Sequence, residues 1–156
     1  MGFERIVTVD WSASSSPKLG ADSIWISIDE DGAVADPENL STRAAAVDRL
    51  VELCGGPGRT LVAVDWSLGY PSGTAETFRL DGSQPAWRAT HDYLAGAIAD
   101  FDDNRNDRFA VANELNVQRG LGPGPFWGAP ASGATDALTT TKPTFDRPAE
   151  WREVEH

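Results

Sequence analysis

The feature that most constrains this chain is a near-repeat. Val7-Thr8-Val9-Asp10-Trp11-Ser12 and Val62-Ala63-Val64-Asp65-Trp66-Ser67 differ at one position in six and lie 55 residues apart. Each reads as a short strand that ends in a carboxylate and passes into a loop rich in Ser, Gly and Pro. A solenoid unit would recur more than twice along such a chain, so two strands in similar roles are the simpler reading. If the two strands lie side by side and parallel, joined by a right-handed connection, both aspartates emerge at the same carboxyl edge of the sheet. Ligands collect at that edge. Neighbouring carboxylates repel one another unless a proton or a divalent cation lies between them. Asp10 and Asp65 are therefore the expected metal ligands and catalytic pair, with Mg²⁺ or Mn²⁺ as the cation. Ser12 and Ser67, which follow each Asp-Trp, are candidate ligand-binding hydroxyls. The competing reading is purely structural: each Asp accepts backbone N–H groups from its own turn, and Trp11 and Trp66 simply pack.

The segments around the repeat alternate between strand and helix signals. Ile24 to Ile28 has period-two apolar spacing, and Asp29-Glu30-Asp31-Gly32 turns the chain into Ala33-Val34-Ala35, which predicts a hairpin. Ser41 or Thr42 caps a first helix that places Ala44, Val47, Val51 and Cys54 on one face and stops at Gly55-Gly56-Pro57. Ser83 and Pro85 open a second helix, whose stripe of Trp87, His91, Leu94, Ile98 and Phe101 is expected to face the sheet, with His91 half-buried there. Asp107 caps a third helix running to about Gln118, with Gly120 beyond it. Residues 120–156 are expected to be an irregular loop and terminal segment. Phe126 and Trp127 would act there as anchors or as a lid, and a helix start at Pro148 reaches His156 without a cap. The expectation is one α/β domain over residues 1–156, a mixed sheet with flanking helices, incomplete at its carboxyl end.

Charge narrows the function classes. Asp and Glu outnumber Lys and Arg by 24 to 13, giving a formal charge of −11 that repels a phosphate backbone over most of the surface. An extended nucleic-acid footprint is excluded on that ground. A phosphate-containing small molecule or a nucleic-acid end, received through a divalent cation, is not. No apolar run approaches the roughly 20 residues of a membrane span. The start of the sequence has no basic-then-apolar leader, and the single Cys54 makes no intrachain disulfide, so a cytoplasmic protein is expected. One Cys and two His cannot supply the spaced ligand pairs of a structural zinc site. The third predicted helix and its entrance hold the main concentration of amide and guanidinium groups. Arg105, Arg108 and Asn113 are the candidate phosphate or carboxylate binders there, and Glu114 is a candidate third acid alongside Asp48 and Glu52 of the first helix.

The order strand, hairpin, helix, strand, with Asp closing the two related strands, resembles the ribonuclease-H-like arrangement over residues 5–67. In that superfamily the corresponding acids hold divalent metal for phosphodiester cleavage, which implies those roles for Asp10 and Asp65. More closely, the chain resembles an uncharacterised bacterial family of predicted ribonuclease-H-like proteins. It shares the Val-Asp-Trp-Ser start, Gly20-Ala21-Asp22-Ser23-Ile24-Trp25, Gly69-Tyr70-Pro71, Asp103-Asn104-Arg105-Asn106 and Gly124-Pro125-Phe126-Trp127-Gly128. Members of that family continue further, which implies that a fifth strand, a last helix and any third acid belong to a longer chain. Some members carry a label for molybdopterin guanine dinucleotide synthesis. The residues do not support it, because no Gly-x-x-x-x-Gly-Lys-Ser/Thr loop is present and Ser12 to Gly20 offers only Lys18 as a cation. Two other readings stay open: an actin-like or sugar-kinase-like nucleotide-binding protein, and a non-catalytic module that assembles as a homo-oligomer.

Overall fold

The computed structural model describes residues 2–120 and 122–144. The final helix expected from Pro148 onward lies outside the described residues. Contacts divide the described residues into two compact units, one reaching to Trp66 and including Asp100–Asn106, the other formed by Ser67–Ala99 and the described residues from Asp107 onward. Each has its own apolar cluster.

The first unit is a five-stranded mixed sheet with a helix. Strand β1 (Arg5–Asp10) pairs antiparallel with β2 (Ile24–Glu30) and parallel with β5 (Thr60–Val64). The hairpin partner β3 (Ala33–Val34) and the short β4 (Glu38–Leu40) both pair with β2, giving the path β3-β2-β1-β5 with β4 attached to β2. Sequence reasoning missed β4, whose three residues Glu38-Asn39-Leu40 are too few to show a period. Tertiary bonds hold it instead: the Asn39 amide donates to Ser23 Oγ and to the Ile24 carbonyl at 2.7 and 2.8 Å and accepts from the Gly20 N–H at 2.7 Å.

Alternation sorts the sheet into two faces. Val7, Val9, Ile24, Ile26 and Ile28 are buried on one, while Ile6, Thr8 and Asp10 point to the exposed other. Helix α1 (Arg43–Gly55) has Thr42 as its N-cap, the hydroxyl accepting the Ala45 N–H at 3.2 Å. Its inward face is Ala46, Leu50 and Leu53, whereas Val47, Val51 and Cys54 are exposed. This overturns the expected stripe, which lies about a third of a turn away around the axis. The helix is apolar on two overlapping faces, and rotation is set at its first turn. There the Arg43 guanidinium donates to the Ser14 carbonyl, the Asn104 carbonyl and Asp100 at 3.0, 2.6 and 2.8 Å.

The second unit is helical. The one-turn α2 (Thr74–Thr77) and helices α3 (Ala86–Ala97) and α4 (Arg108–Arg119) surround a cluster of Phe78, Val111 and Leu115. The apolar face of α3 is Ala89, Leu94, Ala97 and Ile98. Trp87, at 60% exposure, and His91 are not part of it, so the predicted Trp87-His91 stripe is corrected here too. His91 instead stands edge-on between the Tyr70 and Trp87 rings, each centroid 6.1 Å away. Pro85 rather than Ser83 sits at the N-cap of α3, and Ser83 is held in a turn by Asp81. Asp107 occupies the N-cap of α4, but its carboxylate accepts the Ala99 N–H at 2.8 Å rather than a helical one. Phe126 stacks on Phe78 at 5.8 Å and anchors its loop, while Trp127 stays half exposed. Among the described residues no helix is long and apolar enough to cross a membrane.

Leu53→Ala removes a buried side chain and is expected to cost about 2–4 kcal/mol, while Val51→Ala on the exposed face costs under about 0.5 kcal/mol. Urea unfolding of the two variants measures both, and the opposite ranking is what the helix orientation forbids.

Candidate functional site

The two halves of the repeat are spatial neighbours. The parallel register runs Val7 against Val62 and Val9 against Val64, so one further step along both strands brings the chain to Asp10 and Asp65 at the same carboxyl edge. Adjacent strands lie about 4.8 Å apart. Both aspartates are exposed. Asp65 reaches across, its Oδ1 accepting the Trp11 N–H at 3.1 Å, which ties the end of one repeat to the other. This bond is neither the shared cation nor the own-turn cap that the sequence suggested. The Trp11 and Trp66 rings meet edge to face with centroids 4.8 Å apart, and Trp11 also packs on the core. The parts of the two Asp-Trp pairs therefore touch one another.

The loop after Asp10 is ordered by its own serines. Ser12 is buried, its Oγ donating to the Asp22 carbonyl at 2.7 Å and accepting the Ser14 N–H at 3.2 Å. Ser14 Oγ in turn donates to the Ser16 carbonyl at 2.8 Å. Ser12 is thus turned into the loop. Ser67 is exposed and belongs to the second unit.

A second layer holds that loop in place, and sequence reasoning missed its centre. Asn104 is 3% exposed, at φ +70°, a left-handed conformation that Asn tolerates better than most residues. Its Oδ1 accepts the Arg43 N–H at 2.7 Å, and its Nδ2 donates to the Ser16 and Ser41 carbonyls at 3.2 and 3.1 Å. The start of α1, the serine loop and the 100–106 turn are fastened to one amide. The available signal was an Asn inside a polar turn, Asp103-Asn104-Arg105-Asn106, which reads equally well as caps or as a ligand surface. Asp100, which binds the Arg43 guanidinium, is held below the ordinary carboxylate range chiefly by that hydrogen bond.

The remaining candidates are dispersed. Arg105 pairs with Asp103 at 2.7 Å and lies over the Phe101 ring. Arg108 lies over the Phe109 ring at 4.5 Å. On α4, Asn113 Oδ1 accepts from Thr135 Oγ1 at 2.6 Å, and Glu114 is exposed. Asn116 is buried and fully engaged, donating to the Phe126 and Ala137 carbonyls and accepting the Phe126 N–H. The amides of α4 therefore fasten its neighbouring loop. On α1, Glu52 is paired with Arg49 at 2.8 Å, and Asp48 is exposed. Among the described residues no group of three His, Cys, Asp or Glu side chains is arranged to hold a metal ion.

No family model, curated protein or solved structure matches the chain.

Asn104→Ala is expected to lower stability by about 3 kcal/mol, because it leaves a helix N–H and two loop carbonyls without their partner. Urea unfolding checks this. The Arg43–Asp100 pair gives a pH dependence as well. A carboxylate with a depressed folded-state pKa contributes stability fully above its unfolded value near pH 4 and loses that contribution as pH falls through the folded value. The stability gap between wild type and Asp100→Asn should narrow from pH 5 to pH 2.5, with wild type the more stable at the upper end; a gap that widens on acidification contradicts this.

Proposed function

We propose that this chain is a ribonuclease-H-like protein in which Asp10 and Asp65 together hold a divalent cation, Mg²⁺ or Mn²⁺, for phosphoryl transfer or phosphodiester hydrolysis. The observation that carries the reading is the parallel register of β1 and β5, which puts the two acids one step past a matched pair at one sheet edge. The strand path β3-β2-β1-β5, with β1 antiparallel to one neighbour and parallel to the other, agrees with the order expected of that superfamily. The proposal extends to the bacterial family that the sequence resembles.

The donor set suits a hard cation, since Mg²⁺ is commonly bound through one or two carboxylates with water and substrate phosphate completing its shell. When bound, such a cation polarises phosphate and lowers the pKa of water. The chain's own part is to hold two oxygens-bearing groups at a fixed separation: the β1–β5 ladder sets the spacing, and the Trp11 N–H on Asp65 Oδ1 leaves that carboxylate's second oxygen to face a ligand. Trp11 and Trp66 brace the two turns against each other. With a charge of −11, the substrate is a small phosphate ester or a nucleic-acid end rather than a long duplex.

Mn²⁺ titration followed by electron paramagnetic resonance tests the reading. Wild type should bind, and Asp10→Asn and Asp65→Asn should each weaken affinity by at least about tenfold, equivalent to ~1.4 kcal/mol. Equal affinity in all three proteins removes the metal role and leaves the bond from Trp11 as the whole purpose of Asp65. That outcome would favour the non-catalytic module, and ATP binding in the absence of Mn²⁺ binding would favour the nucleotide-binding alternative.

A further inference from the structure

The second unit contains a residue whose conformation is unfavourable for its type. At the end of α2 the Arg79 N–H donates to the Glu76 carbonyl at 3.1 Å and the Leu80 N–H to the Ala75 carbonyl at 2.9 Å. This is the paired closure of a Schellman motif, with Arg79 at the left-handed position that glycine ordinarily fills. Its φ is +54°. A long side chain is strained there, and strain of this kind gathers where a side chain serves a ligand.

Arg79 lines a cavity of about 480 Å³, within the range that small organic ligands occupy. The floor is apolar, with Phe78 and Ala89 buried. Gln84, Gln118, Tyr93, Asp81 and Asp92 also line it. Both Asp81 oxygens are occupied, accepting the Ser83 N–H and Oγ–H at 2.8 Å each. Asp92 faces Arg88 at 3.7 Å. Among the described residues the Arg79 guanidinium makes no ion pair or hydrogen bond, so it is the cavity's uncommitted charge. Guanidinium is a planar donor fork suited to phosphate or carboxylate. The amide side chains of Gln84 and Gln118 and the phenol of Tyr93 are residue types that suit hydroxyl groups.

We propose that this cavity binds a small hydroxylated oxyanion, a sugar phosphate or a hydroxy acid, through Arg79. The site lies within the second unit and does not depend on Asp10 and Asp65.

Isothermal titration of the intact chain with glucose 6-phosphate, citrate and neutral glucose tests it. At least one charged probe should bind wild type, at least about tenfold more tightly than glucose, and which of the two binds distinguishes phosphate from carboxylate recognition. Arg79→Gly should weaken that binding at least about tenfold. Because glycine suits the left-handed position, the same variant should melt no lower than wild type, which separates lost recognition from lost folding. Asp65→Asn should bind the probe as wild type does. Failure of both charged probes to bind, glucose binding as tightly as its phosphate, or unchanged affinity in Arg79→Gly would overturn the site.

Discussion

Everything about the candidate site depends on the hydrogen-bonded pairing of β1 with β5. Parallel neighbours cannot be joined by a tight turn, so the chain between them must leave the edge and return, and here it forms β2, β3, β4 and α1 on the way. That excursion supplies the cover for one sheet face: Val7, Val9, Ile24 and Ile26 become buried under Ala46, Leu50 and Leu53. Burial on one face in turn locks register, because a slip by one residue would send Val7 and Val9 to solvent and bring Thr8 and Asp10 inward. The hydrophobic pattern thus does two things at once. It holds the sheet, and it delivers both carboxylates to the exposed side of a common edge.

Around that edge the order comes from polar groups that fasten backbone to backbone. Asn104 and Arg43 make bonds that few side chains could share, since each satisfies groups from segments far apart in sequence. Asn116 does the equivalent work in the second unit for the loop containing Phe126. Buried amides of this kind are costly when a partner is lost and specific when all are present. Asn104 and Asn116 are the fasteners of irregular chain. Arg79 differs from them. It stands at a strained position, and among the described residues its guanidinium makes no ion pair or hydrogen bond, which is why it directs attention to a ligand rather than to the fold.

The local elements were legible wherever one strong signal acted alone. The repeat announced β1 and β5, the Ile alternation announced β2, Thr42 with Gly55-Gly56-Pro57 bounded α1, although Gly56 is extended and not the left-handed stop expected there, and Gly120 lay just past α4. Sequence reasoning failed where two readings were locally equal. In α1 both Ala46-Leu50-Leu53 and Val47-Val51-Cys54 have helical spacing, and in α3 the large rings of Trp87 and His91 outweighed the small Ala89 in the pattern but not in the packing. Volume and rotation, unlike periodicity, are properties of the neighbours.

The sequence alone determined that two acid-tipped strands exist, that both run into the same Asp-Trp-Ser turn, and that helices separate and follow them, because these follow from side-chain spacing and turn chemistry within a few residues. Only the tertiary structure decided that β1 and β5 are adjacent in a register that aligns Asp10 with Asp65, that Asp65 bonds to the Trp11 amide, and which helix faces are covered. The physical reason is range. Propensity and capping act over one turn of chain, whereas strand pairing and the burial of one apolar stripe over another are settled between residues dozens of positions apart.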